Sequence, residues 1–210
     1  MVDVVAAAQF AQGFLNPKMR DGSYSMGFLI DLAMEGFLSQ LNLFRMIEEV
    51  AGLEGSGTLP SSTKPAAMFT GKHLRGYWHK HHTQAAYMPR NLRLEMDKDN
   101  TVERVLGKYE GQIITQAMVT ELTHAMVSEN YTRRSQEARL TGEWIVYSCS
   151  SQQNYYFTLA CHDEGDEAIA ERLHRYEDMD RRTGWVSGKS TLTYGDAPAP
   201  VQDEGGIDAL

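Results

Sequence analysis

The residues best suited to chemistry in this sequence are histidines and bases that crowd one stretch. Between Gly55 and Leu94 there is no Asp or Glu, although the whole chain has 28 of them. The bases and histidines of this cationic segment are Lys64, Lys72, His73, Arg75, His79, Lys80, His81, His82, Arg90 and Arg93. Because the chain as a whole has a formal charge of −8, we expect the cationic segment to attract phosphate or carboxylate groups to an otherwise acidic protein.

Imidazoles beside fixed positive charge favour metal-independent cleavage of phosphodiesters. If the segment is extended, its two-residue repeat gives one face His73, Arg75, Tyr77, His79 and His81. One imidazole would take the proton of an attacking hydroxyl, another would protonate the leaving oxygen, and a cation would stabilise the charge on phosphorus. If the segment is instead helical from Gly76 to Tyr87, His79 and His82 share a face. A third interpretation is a solvated basic loop without chemistry.

The predicted site residues divide into acid–base groups and anion-binding groups. His79 and His81 are the predicted acid–base pair, and His73 and Tyr77 support them. The predicted substrate-binding residues are Lys72, Arg75, Lys80, Arg90 and Arg93. Lys80 joins this site only if the segment is not a regular strand, because strand side chains alternate between two faces.

A metal site is an alternative use of the same histidines. His79 and His81 have the spacing of two ligands from one strand, and neutral imidazole suits zinc, copper or iron. A third ligand would have to come from elsewhere, for example from Glu95, Glu143 or His162. The surrounding bases disfavour a divalent cation, so we predict no metal and no cofactor, with a divalent metal as the alternative.

A second group of polar residues, Cys161–Asp166, follows an apolar stretch and precedes a predicted helix. Functional side chains often lie at such strand ends, so His162 is predicted to contribute to the site. The alternative interpretation is a helix-capping turn with solvated acids.

The elements that would position these groups are helices and one hairpin. Helical spacing of apolar residues predicts helices at about Ser25–Ala51 and Gln112–Asn130, and a capping pattern predicts another from Asp166 to about Tyr176. In the first of these, the predicted apolar stripe is Ile30, Met34, Phe37, Leu41, Phe44 and Ala51. Pro89 is expected to interrupt any helix around it.

A β-hairpin is predicted in the C-terminal half, from Leu140–Cys149 and Tyr155–Cys161, which are rich in aromatic and β-branched residues. A five-residue turn would place Cys149 opposite Tyr155 and Glu143 opposite Cys161. We therefore predict an α+β fold in which helices pack on a small, mainly antiparallel sheet that includes this hairpin.

The length of 210 residues suits a single globular domain. We predict a domain over 1–194, with a helical part at 1–54, a linker rich in Gly, Ser and Pro at 55–66, and an α+β part at 67–194. Residues 195–210 carry four acids and no base and are predicted to be a disordered tail.

Composition excludes several classes of protein. Two cysteines without a CxxC motif predict reduced thiols and a cytoplasmic protein. No apolar stretch reaches the roughly 18 residues of a membrane span, so no membrane insertion is expected. The sequence has no phosphate-binding glycine loop and no G-x-S-x-G motif.

Two functions follow from these patterns. The first is a small cytoplasmic enzyme acting on a phosphate-containing substrate or nucleic acid, such as a nuclease or an RNase-like toxin. The alternative is a non-enzymatic inhibitor or antitoxin-like protein, whose acidic surface binds a protein partner while the cationic segment is structural. Convergence of the histidines would favour the enzyme, and burial of separate histidines would favour the binding protein.

Overall fold

The computed structural model describes residues 4–38, 40–84, 87–151 and 153–185, and it has an α+β fold. The helices are α1 (Val4–Leu15), α2 (Met26–Leu38), α3 (Gln40–Leu53), α4 (Met88–Asp99), α5 (Thr101–Leu106), α6 (Gln116–His124), α7 (Asn130–Gln136) and α8 (Asp166–Thr183). Short 3₁₀ turns follow α1 and α5. A π-helical segment, Ala125–Glu129, joins α6 to α7.

The helices pack with a five-stranded mixed sheet. Its strands are β1 (Ser23–Tyr24), β2 (Ala67–Met68), β3 (Trp78–His82), β4 (Glu143–Ser150) and β5 (Gln153–Ala160). The order across the sheet is β1-β5-β4-β3-β2. Among the named strands only the short β1 runs parallel to its neighbour, and the other pairings of these strands are antiparallel. The predicted α+β architecture and the hairpin of β4 and β5 are confirmed.

The histidine-rich stretch is a strand, so the helical alternative for it is wrong. β3 pairs with β4 along its whole length and with β2 at one end. Strand alternation sends His79 and His81 to one face and Trp78, Lys80 and His82 to the other. The separation of the two faces decides which of the predicted site residues meet.

The hairpin register agrees with the prediction at one end and differs by one residue at the other. Trp144 pairs with Ala160, which continues the register predicted for Glu143 and Cys161. Near the turn, Cys149 lies opposite Asn154, whereas we predicted Tyr155. An irregularity between Val146 and Tyr147 shifts the register by one residue. A β-bulge, which inserts one extra residue into one of the two strands, usually causes such a shift.

The predicted helix over Ser25–Ala51 consists of two helices, α2 and α3. The predicted apolar stripe is therefore not a single buried face: Met34 is 44% exposed and Phe44 is 39% exposed. The buried residues of these helices include Phe28, Leu32, Leu43, Met46, Ile47 and Val50. The spacing of apolar residues therefore did not identify the buried face of these helices. The side chains of Phe37 and Leu41, also predicted in this stripe, lie outside the described residues.

Pro89 does not interrupt a helix but lies in the first turn of α4. Proline is favoured there because the first amides of a helix have no intrahelical acceptor. α4 then contributes the buried Glu95, whose Oε1 accepts a hydrogen bond from Arg139 Nη2 at 2.9 Å. Arg134 Nη1 lies 3.6 Å from Glu95 Oε2, so this carboxylate links α4 to α7 and to the chain before β4.

Two apolar clusters cover the two faces of the sheet. α1, α2 and α3 contribute to the larger cluster with Ile145, Tyr147 and Tyr156. α8 contributes Ile169 and Leu173 to the smaller cluster on the opposite face. No helix among the described residues is long and apolar enough to span a bilayer. The predicted tail, 195–210, lies outside the described residues.

Candidate functional site

Three imidazoles from two distant parts of the chain meet at one end of the sheet. His79 and His81 project from β3, and their ring centroids are 5.6 Å apart. His162 follows β5, and its ring lies 5.1 Å from that of His81 with an angle of 21° between the ring planes. We call these three side chains the imidazole cluster. The two histidine-bearing segments therefore meet at this end of the sheet, while the catalytic role of these residues stays a prediction.

Aromatic side chains hold the imidazole cluster in place. The ring of Trp144 on β4 lies 4.3 Å from His162 and 5.3 Å from His79. Phe69 lies 4.5 Å from His79. His81 is only 4% exposed, whereas His79 and His162 are half-buried. The two half-buried rings are thus the members of the cluster that a ligand can reach.

Hydrogen bonds orient one imidazole and leave nitrogen atoms of the other two without partners. His81 Nδ1 lies 3.1 Å from the carbonyl oxygen of Gly142. A carbonyl oxygen only accepts, so His81 carries its proton on Nδ1 and Nε2 is the unprotonated nitrogen. His79 Nδ1 and His162 Nε2 are buried without a hydrogen-bond partner among the described residues.

Burial keeps the cluster neutral at neutral pH. Desolvation, with a smaller contribution from the neighbouring imidazoles, lowers the pKa of His81 to about 4 against the opposing effect of the bond to Gly142. Burial also lowers the pKa of His79 and of His162. For His162, Glu143 opposes the shift, and the positive charges of Arg90 and Lys64 add to it.

Glu143 fixes the chain around His162. Its Oε2 accepts a hydrogen bond from the backbone amide of His162 at 3.1 Å. Its Oε1 accepts a hydrogen bond from the hydroxyl of Tyr87, just before α4. Glu143 is only 8% exposed, so it links the start of β4 to two loops. The hairpin register allows these two hydrogen bonds, because the pairing of Trp144 with Ala160 brings Glu143 beside the residues that follow β5.

The cations near the imidazole cluster are only partly those predicted. Arg90 was predicted and acts on the pKa of His162, together with Lys64, which was not assigned a role. Lys80 lies on the other face of the sheet, where its Nζ is 3.1 Å from Glu49 Oε2. Regular strand alternation therefore separates Lys80 from His79 and His81.

The remaining predicted residues do not join the imidazole cluster. Lys72, His73 and Arg75 are exposed in the turn that precedes β3. Tyr77 is buried on the face of α8, with its ring 5.4 Å from that of Phe157. Arg93, one turn after Arg90 on α4, is exposed and lies 3.8 Å from Asp97.

A cavity of about 170 Å³ opens beside the cluster, at the same end of the sheet. Asp31 and Glu35 of α2 line it, and so does Glu143, whose Oε2 accepts the hydrogen bond from the His162 amide. Sequence reasoning assigned no role to these α2 acids. The available signal was their i, i+4 spacing within an otherwise apolar helix, which places both on one face.

Within the described residues, no group of three or more His, Cys, Asp or Glu side chains is arranged to hold a metal ion. Burial and Glu143 raise the pKa of the Cys161 thiol to about 12, so it is protonated at neutral pH.

No protein-family model, no curated protein and no solved structure matches this chain, so the function has to be argued from the site itself.

Proposed function

We propose that the protein is an enzyme that acts on a phosphate-containing substrate at the imidazole cluster, and that its reaction is metal-independent phosphodiester cleavage. The observation that carries the proposal is the approach of the His79, His81 and His162 rings from separate segments of the chain. Acid–base catalysis needs two groups that exchange protons within reach of one substrate.

The roles follow from exposure. His79 and His162 are half-buried and would contact the substrate, one taking the proton of the attacking hydroxyl and the other donating a proton to the leaving oxygen. His81 is buried and bonded to Gly142, so it would position the other two rings and not contact the phosphate. In this step one imidazole gains the proton of the nucleophile, and the other imidazole gives its own proton to the leaving oxygen.

Charge stabilisation would come from Lys64 and Arg90. Both are exposed and both act electrostatically on His162, so their charges reach the cluster. A phosphate bound there would exchange solvent for a site with two cations and neutral imidazole donors. Lys72, Arg75 and Arg93 would attract a polyanion at longer range without contacting the reacting phosphate. Such an extended set of bases suits a nucleic acid better than a small phosphate ester.

The test is cleavage of labelled RNA and DNA oligonucleotides by purified full-length protein, with and without EDTA. We expect EDTA-insensitive cleavage that falls by about 10²-fold or more in His79→Ala and in His162→Ala. His174→Ala, which changes an exposed histidine on α8, is the matched control and should retain wild-type activity.

Each other outcome argues against the proposal. Cleavage that EDTA abolishes would transfer the same histidines to a metal-dependent reaction. Wild-type protein that cleaves neither polymer, and hydrolyses no small phosphodiester, would rule out phosphodiester chemistry. If both alanine variants unfold, the glutamine variants His79→Gln and His162→Gln provide the test. Folded glutamine variants that keep wild-type activity would show that the rings serve packing only.

The second candidate is a non-enzymatic interaction protein, and two observations favour it. Lys80, the central base of the cationic segment, is buried in a structural ion pair. Phe10 and Phe14 of α1 and Phe44 of α3 are 46%, 41% and 39% exposed and contact each other edge to face. Exposed aromatic side chains are enriched where proteins bind partners. Inactivity of the wild-type protein in the cleavage test would make this the better account.

A further inference from the structure

The cavity beside the imidazole cluster has an excess of negative charge in its wall. It lies between α2, the ends of β4 and β5, and α8. Its lining residues with a carboxyl, imidazole or guanidinium group are Asp31, Glu35, His82, Glu143, Glu164 and Arg172. With a volume of about 170 Å³ it is smaller than the roughly 300–1,000 Å³ of pockets that hold drug-sized ligands, so its ligand must be small.

The single basic side chain of this lining is already paired. Arg172 donates two hydrogen bonds to Glu164, at 2.8 and 2.7 Å. Asp31, Glu35 and Glu143 share no other Lys or Arg among the described residues that line the cavity. Burial raises the pKa of Glu35, and the charges of Glu143 and Asp31 raise it further. The carboxylates therefore repel one another across the cavity, which a bound cation would relieve.

A buried imidazole without a partner also faces this cavity. His82 is 0% exposed, and neither of its ring nitrogens has a hydrogen-bond partner among the described residues. Buried polar atoms are nearly always paired, and an unpaired one needs an explanation such as an absent ligand. Desolvation lowers the pKa of His82 to about 3, so the ring is neutral and one nitrogen is an acceptor.

We propose that this cavity binds a small primary ammonium group, held by Glu35, Glu143 and the acceptor nitrogen of His82. An ammonium group has three N–H donors, and two carboxylates and one neutral imidazole supply three acceptors. Met34 and Leu159 line the same cavity and accommodate a short alkyl chain behind the charged group. The proposal does not depend on phosphodiester cleavage at the imidazole cluster.

Competing ligands fit these walls less well. An anion would meet three carboxylates without a free cation. A divalent metal needs several ligands at roughly 2.0–2.6 Å from one point, and the described residues have no such group. Hydrogen bonds from an ammonium nitrogen are longer, at about 2.7–3.2 Å, so its acceptors can lie farther apart than metal ligands. A quaternary ammonium has the right charge but no N–H donor for His82 or the carboxylates.

The test is a titration of full-length protein with propylammonium chloride at constant ionic strength, followed by amide chemical shifts. We expect saturable chemical-shift changes of the Ala160 and Cys161 amides, because both residues line the cavity. Tetramethylammonium, with the same charge, should produce no saturable shift at these amides. Glu35→Gln should weaken propylammonium binding by at least about tenfold, because it removes one charged acceptor while keeping the side-chain shape.

Two further variants make the result decisive. Glu103→Gln removes an exposed carboxylate on α5 and should leave binding unchanged. Gln84→Glu adds a carboxylate to the cavity wall and should tighten binding. Equal binding of tetramethylammonium, saturable shifts of the same amides by Zn²⁺ alone, or unchanged affinity in Glu35→Gln would each overturn the proposal.

Discussion

Lys80 and Glu49 form a buried ion pair between β3 and α3, with Nζ 3.1 Å from Oε2 and side chains 7% and 11% exposed. Lys80 Nζ also donates a hydrogen bond to the hydroxyl of Thr63 and another to the carbonyl oxygen of Lys64, at 2.8 Å. These bonds tie the sheet to α3 and to the stretch between 55 and 66. The most central base of the cationic segment is thus part of the architecture of the protein.

The first prediction concerns the stability that depends on this pair. Lys80→Met should lower the free energy of unfolding by about 3–5 kcal/mol, because it leaves the Glu49 carboxylate buried without its cation. The double variant Lys80→Met with Glu49→Leu should regain much of the loss, since it removes both charges. Urea unfolding measures the effect, and exposed Lys72→Met should change it by less than about 0.5 kcal/mol. A Lys80→Met protein as stable as the wild type would show that the pair is solvated.

The second prediction concerns the pH dependence of cleavage. The pKa values of His79 and His162 are lowered, so at pH 7 the imidazole that must donate a proton is mostly neutral. Lowering the pH protonates it, and further acidification then protonates the base as well. We therefore expect a bell-shaped profile of kcat/KM with its maximum below pH 6.5.

A substitution on α4 tests the origin of this profile. Arg90→Gln removes a positive charge that lowers the pKa of His162, so the limb that belongs to His162 should move to higher pH. Arg93→Gln, one turn further along α4, is the matched control and should leave the profile in place. Equal shifts in both variants would assign the effect to overall charge.

The third prediction separates the two groups of bases in the cationic segment. Lys64→Gln with Arg90→Gln should weaken oligonucleotide binding and reduce the slope of log K against log salt by about 2, because two phosphate contacts are lost. Lys72→Gln with Arg75→Gln changes the same charge at the exposed turn before β3 and should have the smaller effect. Fluorescence anisotropy over a range of salt concentrations provides both numbers. A larger effect of the Lys72 and Arg75 changes would move the anion site to the turn.

The fourth prediction concerns the cost of keeping His82 neutral. Burial lowers its pKa to about 3 in the folded protein, whereas the unfolded chain takes up a proton near pH 6.5. Between these values the unfolded state binds more protons, so the contribution of His82 to stability is complete above pH 6.5 and falls as the pH drops. The slope approaches about 1.4 kcal/mol per pH unit for this one group.

The difference in Tm between the wild type and His82→Leu, followed against pH, isolates the contribution of His82. The buried carboxylates of the protein titrate in both proteins, so their contribution cancels. Asp31 and Glu35 have raised pKa values, and their contribution has the opposite sign, being lost as the pH rises. We expect acidification from pH 7 to pH 4 to lower the Tm of the wild type by more than that of His82→Leu. Parallel Tm curves would show that His82 is protonated inside the fold.

The sequence by itself determined the α+β class and the hairpin, whereas it left the histidine-rich stretch open between a strand and a helix. The hairpin follows from local composition, because β4 and β5 are rich in aromatic and β-branched residues. Once pairing with β4 makes the histidine-rich stretch a strand, its two-residue repeat places His79 with His81 and apart from Lys80.

The predicted five-residue turn is wrong, because Ser150 pairs with Gln153. The register at the end of the hairpin that carries Glu143 agrees with the prediction because the shift between Val146 and Tyr147 compensates for the shorter turn.

Tertiary structure alone decided which groups share a site. Counting residues did not identify the bulge beside Val146, because a bulge depends on how the whole sheet twists and packs. Lys80 forms its ion pair with Glu49, which lies on a separate helix. Glu35 on α2 is repelled by the charge of Glu143 on β4. A net charge or a run of histidines specifies what groups are present, but burial decides which are charged and packing decides which meet.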